Sequence, residues 1–300
     1  MKKTILFWMI LLMCNSIGLF AQTLHTTLED LSDDAVVVEV GEYGVTALEL
    51  KMYMAGYQSI KEWNGENILS VLNSMVLDLL FTNACLEEKI TVKQSEVLYY
   101  TEYYFDKIGI DLNDENKVQA YFDTTDPYAN MEDFLNKSTF FLLKMKYFAK
   151  KGLLPTTKVS HVFFSTKKKT ASEKKMIQNR VSQTFYDIEM GDVTFTDMFK
   201  LYSEDENTKN SLGDIGSCSL KTKNEYIPKK KVKDVLEAGL FVPVIVENSK
   251  GYSIVLNTTS QFPSGNELDS LIQDLFKKFP PKYYISYECE KKIKKNEKSN

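Results

Sequence analysis

A lone amphipathic stripe near the C-terminal end constrains this chain most. After Pro263, the apolar residues Leu268, Leu271, Ile272, Leu275 and Phe276 share one face of a helix, and Pro280-Pro281 interrupts it. A single amphipathic helix cannot bury its stripe alone. Its natural partner is the other helical stretch, far upstream. There Ile68, Val71, Leu72, Met75, Val76, Leu79, Leu80 and Leu86 recur with a period near 3.6. Between the two, after Pro155, the pattern changes to β-α-α-α-β-β. The expected architecture is therefore α+β: a mostly helical domain, split into N- and C-terminal parts, with a second domain inserted. That second domain is a central antiparallel sheet with covering helices.

The boundaries follow from these shifts. Residues 1–21 read as a signal peptide: Met1-Lys2-Lys3, an apolar run Thr4 to Met13, and the small-residue site Gly18-Leu19-Phe20-Ala21. Cleavage is expected after Ala21. A retained anchor is the alternative, and Met13 directly before Cys14 fits lipidation poorly. No later stretch reads as a membrane span. Residues 22–155 form the N-terminal helical domain, 156–258 the inserted domain, and 259–300 the returning helix plus a lysine-rich tail.

Within 22–155, Val36 to Val40 reads as a strand, and Thr46 with Glu49 as a capping box opening a helix. Thr91 with Gln94 is a second capping-box candidate. A helix runs from about Met131 to Lys150. In the inserted part, Lys158 to Phe164 reads as a strand, and Thr170 with Glu173 caps a helix that stops at Gly191. Shorter helices follow near 195–202 and 231–238. Strands at 242–246 and 252–256, joined by 248–251, close the unit.

Charge and cysteines narrow the function. The formal net charge is -4, and Arg180 is the one arginine. That gives no basic field for nucleic acid and no guanidinium forks for phosphate. With Cys14 in the leader, the mature chain keeps Cys85, Cys218 and Cys289, too widely spaced for a disulfide framework, with one bridge between Cys218 and Cys289 left open. Cys85 reads as a buried small hydrophobe. With His25 and His161 the two histidines, a zinc site is not expected, nor any other cofactor. No Gly-Lys-Ser/Thr phosphate loop occurs.

Residues 159 to 258 resemble the parvulin family of peptidyl-prolyl isomerases. The carriers are Ser160-His161-Val162, Gly191-Asp192, Phe195-Thr196-Asp197-Met198, Tyr202-Ser203-Glu204-Asp205, Gly213-Asp214-Ile215-Gly216 and Gly251-Tyr252-Ser253-Ile254. The earlier part is similar to the N-terminal region of SurA- and PrsA-like exported foldases. The resemblance implies an apolar cup for a proline ring beside a small polar cluster. It places His161 and Asp205 in the polar cluster, Ile215 in the loop shaping the wall, and Tyr226 where a methionine is usual, with Pro228 as anchor. It also implies two departures. Lys230 stands where a ring-packing phenylalanine is expected, and Ser253 where a second histidine is expected.

Isomerisation works against a barrier of about 18–20 kcal/mol. A charged wall and a missing imidazole predict weak or absent rotamase activity. The expected function is an ATP-independent chaperone of the cell envelope whose partners are unfolded or nascent exported polypeptides, outer-membrane proteins among them. The alternatives are an active isomerase using the pocket around His161 and Asp205, and an assembly protein docking one defined partner. Tyrosine offers apolar area plus a hydroxyl at low ordering cost. Tyr99, Tyr100, Tyr103, Tyr104 and Trp63 are accordingly the candidate client contacts.

Overall fold

The computed structural model describes residues 28, 31–57, 65–125 and 130–285. The signal peptide with its cleavage site, Trp63, and the lysine-rich tail lie outside these residues. In chain order the elements are β1 (Val36–Val40), β2 (Tyr43–Thr46), α1 (Ala47–Tyr57), α2 (Gly65–Glu87), α3 (Gln94–Lys107), α4 (Glu115–Thr125) and α5 (Met131–Lys150). There follow β3 (Thr156–Ser165), α6 (Ala171–Met190), α7 (Phe195–Tyr202), β4 (Asp214–Ser219), α8 (Lys229–Ala238), β5 (Pro243–Asn248), β6 (Gly251–Ser260), α9 (Asn266–Lys278) and β7 (Lys282–Tyr283).

The chain forms two compact units, residues 1–84 with 265–300, and residues 85–264. In the first unit, β-branched Val36–Val40 is the middle strand of a three-stranded sheet in the order β2-β1-β7. Both pairings are antiparallel, and Val38 and Glu39 oppose Tyr283 and Lys282. The Thr46 capping box forms as expected: Thr46 N–H donates to Glu49 Oε2 (2.7 Å) and Glu49 N–H to Thr46 Oγ1 (3.3 Å). The buried side of α2 is Ile68, Leu72, Val76 and Leu80, a strict i, i+4 row. By length and composition alone, Ile68–Glu87 is apolar enough to cross a membrane. This corrects the expectation that nothing past the leader would be.

The second unit holds the four-stranded antiparallel sheet, in the order β4-β3-β6-β5. From sequence, β4 is missed, because Asp214-Ile215-Gly216-Ser217 carries one β-branched residue and none of a strand's usual alternation. Helix α6 starts on the expected capping box at Thr170 and Glu173. It ends on Gly191 at φ 77, with Asp192 N–H returning to Asp187 O (3.1 Å). A Cβ on Gly191 would stand 3.0 Å from Ser95 Cβ, so the glycine also admits the start of α3. That start is not the expected one: α3 begins at Gln94 with Lys93 as N-cap and no side-chain cap, so Thr91 is not the cap. Instead Thr91 O accepts from Lys146 Nζ (2.7 Å).

From sequence, α3 to α5 fall outside the inserted domain, whose expected start is residue 156. In the structure they share the second unit with the sheet. Specific contacts join them. The Tyr99 hydroxyl lies 2.6 Å from Ile188 O and 2.7 Å from Val193 O, and Ser95 Oγ donates to Glu189 O (3.0 Å). Tyr100 sets its edge against Phe241, and Phe148 does the same with Phe262. Glu96, 3% exposed, is held by Lys146 (2.7 Å). The core of the sheet's other side is Val159, Cys218, Ile227, Val232, Val235, Leu236, Val246 and Val255.

Candidate functional site

Strand β3 carries His161 at its centre, and β6 brings Ser253 beside it through the pairings His161↔Val255 and Phe163↔Ser253. Both side chains are 0% exposed. The segment after α7 is stitched onto β3 at Phe163 and Ser165, the latter donating its N–H to Glu204 Oε2 (3.1 Å). Phe163 N–H donates to Ser203 Oγ (3.2 Å), and Glu204 N–H to Phe163 O (2.8 Å). That anchoring delivers the next residue, Asp205, to His161.

The chain then turns through a short 3-10 segment (Lys209–Ser211) into Gly213, whose carbonyl accepts from His161 N–H (2.9 Å). Gly213 has φ 81, and a Cβ there would lie 2.4 Å from His161 O. Only glycine permits this approach.

The polar cluster is a chain of hydrogen bonds. His161 Nε2 lies 3.2 Å from Asp205 Oδ2, and Nδ1 lies 3.2 Å from Ser253 Oγ. Thr208 Oγ1 donates to Asp205 Oδ2 (3.2 Å), and Asn207 N–H to Asp205 Oδ1 (3.2 Å). Burial pushes the His161 pKa down to about 4, against the upward pull of Asp205. The imidazole is therefore neutral at neutral pH, and its contact with Asp205 is a hydrogen bond rather than an ion pair. Burial works to raise the Asp205 pKa, but bonds from the Tyr226 hydroxyl, Asn207 and His161 outweigh it and hold the carboxyl below its usual value. With an ionised Asp205, the consistent assignment has Nε2–H donating to the carboxylate and Ser253 O–H donating to Nδ1. Serine, histidine and aspartate in line resemble a hydrolytic triad. Ser253 is fully enclosed mid-strand, so no acyl group reaches its hydroxyl.

Tyr226 closes the cluster from above. Its ring meets His161 edge-on with centroids 4.5 Å apart, and Phe163 at 6.0 Å. Burial, then the bond to Asp205, pushes its hydroxyl pKa up to about 12. On the outer side Lys250 Nζ sits 4.9 Å from the ring centroid and pairs with Glu225 (2.9 Å). Asn248 Nδ2 donates to Tyr226 O (2.8 Å), so the β5–β6 turn clamps the tyrosine.

His161, Asp205, Ser253 and Tyr226 thus come together. Ile215 is half-buried, and it packs against the core cluster under α8. Lys230 is exposed in the first turn of α8. The helix turns its buried side through Val232, Val235 and Leu236, and a lysine two positions before that row projects to solvent.

Sequence reasoning missed Phe163, Thr208 and Lys250. Of these, Lys250 carried a usable signal, as a cation in the tight Asn248–Gly251 turn. Among the described residues no group of three histidine, cysteine or acidic side chains is placed to hold a metal.

The tyrosine-rich helix α3 also departs from expectation. Tyr99 is 4% exposed and donates inward, so it is not an open client contact. Tyr100 and Tyr104 are half-buried in a ring cluster with Phe105, Tyr121, Phe122, Phe134 and Phe141, at centroid distances of 5.2–6.3 Å. The Tyr104 and Tyr121 hydroxyls lie 2.8 Å apart. Tyr103 is half-buried against Phe241, with Lys107 over its ring.

Residues 161–259 match the family model of the rotamase, PPIC-type PPIase domain. The sheet with its covering helices is a parvulin-type domain. No curated protein matches the chain. Among solved structures, PrsA from Bacillus subtilis aligns at 16% identity over 82% of this chain and 86% of that one, with a TM-score of 0.25. The foldase protein PrsA from Streptococcus pneumoniae aligns at 15% identity over 81% and 87%, TM-score 0.29. One of two SurA-like chaperones of Campylobacter jejuni aligns at 17% identity over 88% and 96%, TM-score 0.26.

Proposed function

We propose that this chain is an exported, ATP-independent foldase-type chaperone of the cell envelope. It holds unfolded polypeptides, outer-membrane proteins among them, while its parvulin-type domain turns prolines over weakly or not at all. The observation that carries this reading is Tyr226. A rotamase pocket must hold the proline ring in apolar contact and favour the twisted amide. Here the space over His161 is filled by an aromatic ring, tied inward to Asp205 and capped outward by Lys250. The basic-apolar-small leader supports export. Exposed Met176, Met190, Leu201 and Leu220 offer pliable apolar contacts for varied clients.

A protease-free cis-trans assay on a proline peptide tests the first half. The expected result is slow turnover in the native chain, with a rise in Tyr226→Ala. Strong turnover that depends on His161 and is unaffected by Tyr226→Ala would instead favour the active isomerase. One feature speaks for that second reading: the Asp205–His161–Ser253 chain is fully hydrogen-bonded. Suppression of aggregation of several unrelated reduced polypeptides tests the holding role, and an effect confined to a single partner would favour the assembly protein.

A further inference from the structure

Ser160 neighbours His161 on β3 and faces the opposite side of the sheet. There it lines a separate cleft of 1170 Å³, bounded by α3, the chain after it, the start of α7, and β6 at Leu256 and Thr258. Ordinary small-ligand pockets run to roughly 300–1,000 Å³. This one is larger and open, which suits a length of polypeptide. Its walls are of two kinds. Tyr103, Ile110, Leu112 and Leu212 give partly exposed apolar surface. The charged lining is five carboxylates, Glu102, Asp106, Asp111, Asp197 and Asp214, against Lys107 and Lys158. Lys107 is already engaged over the Tyr103 ring.

We infer that this cleft seats an extended segment of an unfolded client in which lysine or arginine flanks an aromatic side chain. The inference rests on the chaperone reading above and names its site and client chemistry. The aromatic side chain packs on the apolar wall at Tyr103 and Leu212, and the cation meets the carboxylates. Burial, with Asp197 nearby, raises the Glu102 pKa to about 7. The charged groups lining the cleft with Glu102 are Asp106 and Lys107 on its own helix, Asp111 after it, Asp197 on α7, Asp214 on β4 and Lys158 on β3. A client cation favours the ionised carboxyl, so binding strengthens as pH rises from 6 to 8.

The test uses the full chain and two fluorescent peptides of alternating phenylalanine with lysine, or phenylalanine with glutamate, read by anisotropy. The lysine peptide is expected to bind at least about tenfold tighter, and less tightly at high salt. Asp106→Lys with Asp197→Asn, both at exposed positions, is expected to remove about tenfold or more of that affinity. Glu102→Gln is expected to flatten the pH dependence. Equal binding of the two peptides, or affinity unchanged in the double variant with circular dichroism intact, overturns the inference. So does a concentration-dependent self-association that the double variant abolishes, which would assign the cleft to a second copy. Aggregation suppression measured in parallel separates the two proposals. Intact suppression in wild type and variant alike sinks the cleft alone, whereas no suppression by wild type sinks the chaperone reading.

Discussion

At His161, burial rather than chemistry sets the acid behaviour of the domain. Its folded pKa of about 4 lies below the unfolded value of 6.5. Above pH 6.5 both states are neutral and stability is complete. Between 6.5 and 4 the unfolded chain takes up the proton first, and about 3 kcal/mol is lost. Asp205, held below its usual value, adds a further loss at still lower pH. Glu102, raised to about 7, works in the opposite sense over the same range, so the His161 share is read as a difference: the urea midpoint of the native chain is expected to fall relative to that of His161→Gln as pH drops from 6.5 to 4. Gly213→Ala should cost about 1–3 kcal/mol, since it adds a Cβ into His161 O at a positive φ; thermal denaturation reads this. Lys230→Ala should leave stability within about 0.5 kcal/mol, because the side chain is exposed. His161, Asp205, Ser253 and Tyr226 were legible because their motifs are local and ordered. The run of three lysines after Pro228 gives no register by itself, and the helix phase set by Val232 and Val235 is what shows Lys230 exposed.

Among the elements, α6, α8, β5 and β6 were legible from capping, alternation and turn residues. Helix α3 was legible as a helix but not in its role. Its tyrosines resemble an exposed aromatic face in one dimension, and Phe134, Phe141 and Phe241, which cover them, lie 30 to 140 positions downstream. Tyr99→Phe removes the hydroxyl between Ile188 O and Val193 O and should cost about 1 kcal/mol in a denaturant titration. Replacing Tyr100 and Tyr104 together by serine should lower stability by several kcal/mol, with loss of near-ultraviolet circular dichroism. Any loss of client holding in that variant would follow from damage to the helices, not from a missing contact.

For the whole molecule, periodicity already required an interruption, since the stripe of α9 had to return to something upstream. What periodicity could not supply is where the interruption begins. The second unit starts at Cys85, inside a continuous helix with no break in pattern. Cys85 and Cys218 are both buried, with thiol pKa values pushed up to about 12 and about 11 by desolvation. With Cys14 and Cys289 replaced by serine, thiol labelling in native buffer should be slow and should rise to the denatured rate in urea.

The sheet of the first unit sets an order of events during synthesis and export. Its middle strand, Val36–Val40, is threaded early, but one flanking strand is Lys282–Tyr283. Everything from 85 to 264 can assemble while that edge still stands open. A chain delivered from its N-terminal end thus completes its middle before its beginning, and a nascent form halted short of residue 282 carries a finished second unit and an unpaired strand.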